Sequence, residues 1–470
     1  MSKTILIDPV TRIEGHSKIT IQLDDAGQVE TARFHVTQLR GFEKFVEGRP
    51  FQEMPSIFSR ICGICPVSHL LASAKACDML MSVKIPPTAA KLRRILNLAQ
   101  IAQSHALSFF YLSSPDLLLG MDASPAERNI VGVARAHPEL AKNGVRLRQV
   151  GQQIVEILGD KRVHPGWAVG GGVNKPLSAE HRQKILAMLP EVIGIAEKTL
   201  QWFIPLIDRF AEEISVFANF PSLYMGLVGP NNELEMYDGH LRIIDDEGKA
   251  FVEHLDPAEF KSVIAEEIDP HSYLKQPYYK PLGYPAGMYR VGPLARLHIA
   301  KSCGTARADE ALKHFKQIDH RSSFHYHYAR LIEILYAFEK MEQLLNDPDI
   351  LDEHVRALAA PNAFEGFGVS EAPRGTLMHH YKIDENGLIT YADLVIATGH
   401  NSLAMNQGIT QAAKYYIKGD TVAESLLNRI EAVIRTFDPC LSCSTHAFGQ
   451  MPLQIQLIAA DGTLLDEVKR

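Results

Sequence analysis

The sequence predicts an α+β fold that is predominantly α-helical: a core bundle of long helices with small peripheral β-sheets and hairpins. Three observations lead there. Long apolar periodicities of helical spacing recur along most of the chain. Short alternating stretches, several closed by Asp-Gly or Asn-Gly, lie between them. The 470 residues are 46% hydrophobic and 22% charged, ample material for a large core. No Pro/Ser/Gly-rich or charge-run linker divides them, so residues 1–446 are expected to form one intertwined unit. Within it the reading gives an N-terminal β region at 1–36, a helical core at 54–217 and 305–345, a β-meander at 233–254 and site loops at 371–446.

In chain order, residues 4–36 alternate apolar and polar side chains around Asp24-Asp25-Ala26-Gly27, the pattern of a hairpin or small sheet. Pro55-Ser56 starts a helix, and Pro66 suits the first turn of the next, which continues through Leu70–Ser82 with Cys77 as packing. Over Thr88–Leu112 apolar residues surround most of a helix, which places it inside a bundle. Helical patterns follow at about 127–158, over Ser178–Phe217 and over Ala306–Leu345, the last two long enough to cross a domain. His314, His320, His325 and His327 fall in the last of these and read as ordinary helix histidines. Three strands are expected in 233–254, with turns at Asp238-Gly239 and Glu247-Gly248, and a hairpin in Tyr381–Ile389 around Asn386-Gly387. Tyr284–Pro293 and Glu371–Gly375, punctuated by Gly and Pro, are expected as irregular loops of the kind that line sites.

The net charge of −7, without a basic run, argues against a nucleic-acid or anionic-membrane partner. Gly170-Gly171-Gly172 lacks the Lys-Ser/Thr ending of a phosphate loop, and no G-x-G-x-x-G occurs. The apolar stretch in Met1–Asp8 is too short for a secretory signal, and no 18 apolar residues run together, so a soluble, cytoplasmic protein not integral to a membrane is expected.

Four of the six cysteines form two C-x-x-C pairs, an arrangement unlike a disulfide framework in a chain this long. One is Cys62-Gly63-Ile64-Cys65, with Arg60 before it and His69 after; Gly63 is expected to let the backbone turn both thiols toward one point. The other is Cys440-Leu441-Ser442-Cys443, with Asp438-Pro439 before it and His446 after. The pairs can share a metal only if the fold brings the two ends of the chain together. Structural zinc, an iron-sulfur cluster and thiols that never meet all fit the cysteines alone. Arg60, His69 and His446 are suited to tuning thiolate charge, which a closed zinc site does not need. Four thiolates also suit a soft-ligand transition metal, and nickel stands high in the affinity order. Glu14, in Thr11-Arg12-Ile13-Glu14-Gly15-His16, reads on residue chemistry alone as an exposed or Arg-paired carboxylate.

The two cysteine motifs, with Arg12-Ile13-Glu14-Gly15-His16, Arg40-Gly41-Phe42-Glu43 and Ala372-Pro373-Arg374-Gly375, resemble those of the large, catalytic subunit of nickel-iron hydrogenases. The likeness spans nearly the whole chain and is greatest to the soluble bidirectional, pyridine-nucleotide-linked group. It implies that Cys62, Cys65, Cys440 and Cys443 bind nickel, with Cys65 and Cys443 bridging to an iron that carries carbon monoxide and cyanide. It implies reversible heterolytic splitting of H2, in which Cys440 accepts the proton and Glu14 relays it outward. Arg374 would stabilise negative charge over the open coordination site, and Asp438 would position it or the cysteine loop. His69 would hydrogen-bond a bridging sulfur, while Glu43 and His446 would bind magnesium. Only Cys77 and Cys303 remain, too few for a further cluster. The implied partners are therefore a small subunit with iron-sulfur clusters and a flavin-bearing diaphorase module that meets NAD(P).

Ala447–Arg470 follows the last motif, and Leu453–Ile458 alternates before Asp461-Gly462 like a small hairpin. Family members of this type carry such a tail until an endopeptidase removes it after nickel-insertion factors have acted, so the resemblance implies a maturation tail at 447–470 and a cut between His446 and Ala447. Three rival readings stand beside this one: a zinc-stapled scaffold, a relative of the quinone-site subunit of respiratory complex I, and a hydrogenase serving a deazaflavin or a disulfide reductase.

Overall fold

Four long helices, Pro87–Leu107, Pro138–Gly159, Ala179–Phe203 and Tyr326–Leu345, pack on one another at the centre of the computed structural model, which describes residues 3–319, 321–419, 423–446, 454–459 and 463–469. Their apolar residues occupy enough of each circumference to meet more than one neighbour, and Leu92, Ile95, Leu147, Leu189 and Ile332 are fully buried.

Three predicted helices are interrupted. Pro138 cannot continue the preceding helix, so the pattern at 127–158 becomes Ile130–Ala136 and Pro138–Gly159. After Phe203, Pro205 coincides with a tighter 3₁₀ segment, Ile204–Phe210, before the short helix Ala211–Val216. Between Ala306–Phe315 and Tyr326–Leu345 the hydroxyls of Ser322 and Ser323 donate to the Phe217 carbonyl at 3.0 and 3.1 Å. Arg290 donates to the Arg321 carbonyl at 2.5 Å. These bonds draw the segment out of helix, which puts His314 and His327 on different helices and His325 in a 3₁₀ turn; His320 lies outside the described residues. The helix expected to reach Leu112 stays α-helical to Leu107 and widens into a π-helical turn at Ser108–Ser113.

The N-terminal region is a three-stranded antiparallel sheet, Lys3–Ile7, Ser17–Leu23 and Val29–Val36, with Ile19, Ile21 and Phe34 buried. In the region expected to be a meander, His240–Ile244 and Ala250–Leu255 are strands, but Glu233–Tyr237 is not. The Glu235 carboxylate accepts from the backbone N–H of Met236, Tyr237 and Asp238, which curls that segment. Leu223–Val228 takes the place beside His240–Ile244, and Tyr289–Arg290 adds to it in parallel.

The irregular loop expected at Glu371–Gly375 is the tight end of an antiparallel pair, Glu365–Ala372 and Gly375–Ile383, with Pro373-Arg374 at its tip. Its third strand, Ile389–Val395, follows the hairpin around Asn386-Gly387, where the Asp384 carboxylate accepts from the N–H groups of Asn386 and Leu388. This sheet lies on the helix Pro66–Leu80, and Gly368 permits the approach: a Cβ there would stand 1.8 Å from the Ala72 carbonyl oxygen. Past the last motif, Gln454–Ile458 and Leu464–Lys469 pair as antiparallel strands, while Leu453, Asp461 and Gly462 lie outside the described residues. Among the described residues no helix is long and apolar enough to cross a membrane.

Candidate metal centre

Two clamps bring the chain ends together. In the first, Glu14 forms a parallel bridge with Cys440, and the Leu441 N–H donates to the Glu14 carbonyl at 3.2 Å. Gly15 makes room for it, since it sits at φ +93° and a Cβ would stand 2.6 Å from Leu441 Cβ. Arg12 anchors this loop, with Nη2 2.5 Å from Asp116 and Nη1 2.9 Å from the Leu112 carbonyl. Arg435 reaches the same Asp116 at 3.1 Å and the Thr11 carbonyl at 3.0 Å. In the second clamp the backbone N–H groups of Arg40 and Gly41 donate to the Thr445 carbonyl at 2.8 and 3.3 Å. The Phe42 N–H donates to His446 Nδ1 at 3.4 Å, and the Arg40 guanidinium donates to the Ile61 carbonyl beside the upstream cysteines.

Between the clamps the sulfurs of Cys62, Cys65, Cys440 and Cys443 all lie within 4.8 Å of one another, every one buried. Cys62 and Cys440 are 3.4 Å apart, Cys65 and Cys443 3.3 Å, and Cys440 and Cys443 3.0 Å. Such spacings are far beyond the ~2.05 Å of a disulfide. Two sulfurs each about 2.3 Å from one ion stand ~3.3 Å apart at right angles and ~3.8 Å apart in a tetrahedron. The four sulfurs are therefore close enough to share one metal ion. Cys65 occupies the N-cap of the helix Pro66–Leu80. The Ile64 N–H donates to Cys62 Sγ at 3.2 Å, and the Cys440 N–H donates to Thr398 Oγ1 at 3.0 Å. Gly63 differs from expectation: it does not adopt positive φ and no atom crowds its Cβ position, so the turn does not require glycine.

Charge is distributed unevenly. Hydrogen bonding from Cys440, Cys443 and Cys65 outweighs burial and pulls the Cys62 thiol well below its usual pKa. Sharing protons with Cys443 and Cys62 raises Cys440, and burial raises Cys443. The Cys62 thiolate thus forms readily while Cys440 and Cys443 resist, a cost that a bound divalent cation removes. Burial opposes the charge of Arg374, but Asp438, Cys440, Cys65 and Cys62 overcome it and raise the guanidinium pKa further. Arg374 Nη2 lies 3.1 Å from Asp438 Oδ2, Nε donates to the Asp438 carbonyl oxygen at the end of Glu424–Phe437, and Nη1 donates to Ser104 Oγ at 3.4 Å. Arg374 and His69 line a small cavity with Cys65, Cys440 and Cys443.

Glu14 is half-buried and, among the described residues, not Arg-paired: its carboxylate accepts from the Ser442 N–H at 3.0 Å and from the Ser442 hydroxyl. Glu43 accepts from the Leu394 N–H at 2.9 Å; burial raises its pKa to about 7, opposed by Lys275, whose Nζ stands 3.9 Å away. His446 is buried, burial holds it neutral, and its Nε2 makes no hydrogen bond among the described residues. Ser442, Thr398, Ser104 and Lys275 do not stand out in the sequence. Ser442 sits inside a C-x-x-C motif as an apparent spacer, and the other three lie far from any motif in sequence. Cys77 is buried, and burial raises its thiol pKa, as packing requires.

Comparison with known proteins places this geometry in context. A family model described as nickel-dependent hydrogenase matches residues 40–138 and 235–446, and a HoxL-like model matches residues 4–39. The chain is 44% identical to the NAD-reducing hydrogenase HoxS subunit beta of Cupriavidus necator across the full length of both. It is 43% identical to a chain of the F420-non-reducing hydrogenase vhu of Methanococcus voltae, over 88% of this chain and 99% of that one. The crystal structure of an NAD+-reducing [NiFe]-hydrogenase in the H2-reduced state superposes with a TM-score of 0.92 at 45% identity, covering 94% of this chain and 99% of the other. A Ni-Fe-Se hydrogenase from D. vulgaris Hildenborough superposes with a TM-score of 0.76 at 26% identity, covering 95% and 100%.

Proposed function

The chain belongs to the nickel-dependent hydrogenase family, and from that premise we propose that it is the catalytic subunit of a reversible, NAD(P)-linked hydrogenase, with the overall reaction H2 + NAD(P)+ → NAD(P)H + H+. The observation that carries this is the convergence of four buried cysteine sulfurs from opposite ends of the chain within 4.8 Å. Cys62, Cys65, Cys440 and Cys443 would hold nickel, and Cys65 and Cys443 would also hold an iron bearing carbon monoxide and cyanide. That centre supplies the site at which H2 binds and is polarised.

The protein's own groups then manage charge. Cys440 Sγ accepts the proton released on cleavage, a workable base for a metal-bound thiolate. Glu14 receives it; its carboxylate is held beside the cysteine loop by Ser442, half-buried and so within reach of water. Arg374, fixed by Asp438, stabilises negative charge over the cavity. His69 donates to a bridging sulfur. Glu43 and His446 would hold magnesium.

Electrons leave through a partner subunit with iron-sulfur clusters and then a flavin-bearing diaphorase, because Cys77 and Cys303 are buried, raised in pKa and too few for a cluster. The protein would work in the cytoplasm. The chain is also similar to F420-non-reducing hydrogenases, and NADH formation by the assembled complex tests whether NAD is the acceptor here. Maturation would end with cleavage between His446 and Ala447, after nickel-insertion factors and an endopeptidase have acted.

The test is metal analysis and infrared spectroscopy of the assembled enzyme, expected to show nickel, iron, and carbonyl and cyanide bands; zinc without nickel would reject the assignment. Glu14→Gln should lose ~10²–10⁴-fold in turnover, the usual worth of a general acid-base group, while keeping both metals.

A further inference from the structure

From His69 a row of buried hydrogen-bonding side chains leads away from the cysteine sulfurs, and the proposed reaction uses none of it beyond His69. His69 lies in the first turn of the helix Pro66–Leu80, one turn past Cys65, and lines the cavity with Cys65 and Cys443. Its Nδ1 is 3.1 Å from His379 Nε2, and His379 Nδ1 is in turn hydrogen-bonded to the Tyr381 hydroxyl. His379 and Tyr381 are two residues apart on the strand Gly375–Ile383, so both point to the face packed on that helix. Phe58 locks them in place, stacked on Tyr381 at 5.4 Å and 6° and edge-on to His379 at 5.1 Å and 77°. All of these residues are essentially inaccessible to water.

Burial keeps the whole row uncharged: His69 is lowered to about 4, His379 falls well below its usual value, and Tyr381 rises well above its own. Each group therefore carries one transferable hydrogen, and the two hydrogen bonds can run in only two directions. In one, Tyr381 donates to His379 Nδ1 and His379 Nε2–H donates to His69 Nδ1, which leaves His69 Nε2–H as the remaining donor. In the other, His69 Nδ1–H donates outward and its Nε2 lone pair is left toward the sulfurs. Negative thiolates attract a donor and repel a lone pair, so the first direction is favoured.

We propose that Tyr381 and His379 are positioning residues that hold His69 as the Nε2–H tautomer, so that its ring N–H faces the cysteine sulfurs and stabilises negative charge on them. The inference rests on reading the four cysteines as the nickel-iron centre. It needs no charge on the row and moves no proton; it fixes which nitrogen of His69 carries its hydrogen, a role known for groups behind metal-site histidines.

The experiment is infrared spectroscopy of the nickel-loaded fraction of the assembled enzyme carrying Tyr381→Phe, His379→Leu or His379→Gln. Tyr381→Phe keeps the ring stacked on Phe58 and removes only the donor. With less donation to sulfur, electron density moves onto the iron, and the carbonyl band should shift to lower wavenumber in Tyr381→Phe and His379→Leu. It should stay near wild type in His379→Gln, whose amide N–H can still serve His69. Carbonyl bands that coincide with wild type in Tyr381→Phe and His379→Leu would overturn the proposal. So would equal shifts in His379→Leu and His379→Gln, which would mark simple loss of packing; this pair decides the matter if Tyr381→Phe does not load metal. A wild-type enzyme without carbonyl bands would instead reject the nickel-iron reading beneath it.

Discussion

Arg374→Lys isolates the most demanding electrostatic feature of the site. Arg374 is buried and directs three groups at once: Nε to the Asp438 carbonyl, Nη2 to the Asp438 carboxylate at 3.1 Å, and Nη1 to Ser104 at 3.4 Å. A lysine keeps the charge but concentrates it on one ammonium that lacks the planar fork, so it can retain the carboxylate only by giving up the carbonyl or Ser104. One charge-assisted hydrogen bond is worth ~1.5–3 kcal/mol, and stability should fall by about 2 kcal/mol. The larger effect should be kinetic. Removing a preorganised donor from developing negative charge costs ~10²–10³ in rate, and H2 oxidation should drop by that factor with nickel content unchanged. The assay is H2-dependent dye reduction by the assembled enzyme, with metal analysis and thermal unfolding in parallel. A variant that keeps its nickel and oxidises H2 within about threefold of wild type would refute the role of a fixed, forked cation, since the expected loss is at least ~10².

Four other outcomes are expected. Gly368→Ala should destabilise the chain by ~1–3 kcal/mol or more, because its Cβ would stand 1.8 Å from the Ala72 carbonyl oxygen and 2.6 Å from the Ala76 nitrogen, both backbone atoms. Gly194→Ala, in the helix Ala179–Phe203 with open space at its Cβ, should instead stabilise by ~0.5–1 kcal/mol, and thermal melts compare the two. His327 is buried and lowered to about 3 by burial, so its contribution is intact above its unfolded value of 6.5 and is lost as pH falls toward 3. Between pH 7 and 5 that amounts to about 2 kcal/mol, and urea unfolding of His327→Met should show an acid dependence shallower by that amount. Intact-mass spectrometry of active enzyme should find a chain ending at His446; one ending at Arg470 would count against the proposed maturation.

Local features were legible in the sequence because they depend on residues adjacent to one another. Pro66 opens the helix after Cys65, Asn386-Gly387 forms its hairpin, and the alternation at 4–36 becomes a sheet. Cys62, Cys65, Cys440 and Cys443 stood out through their type and spacing, whereas Glu14 and Arg374 stood out only through the resemblance to the family's motifs. What the sequence by itself determined was therefore the family, the chemistry of the donor set and the character of most elements.

Competition between distant groups decided the rest. The helical pattern at 306–345 is broken by Ser322 and Ser323 donating to Phe217, and Glu233–Tyr237 forms no strand because Glu235 caps its own backbone. Glu14 finds Ser442 across 428 residues, and His69 finds His379 across 310. Periodicity reports which face of an element is apolar, but not which hydrogen-bonding group it will meet. In a buried site every polar group must find a partner or hold a charge, and tertiary structure alone settles those pairings.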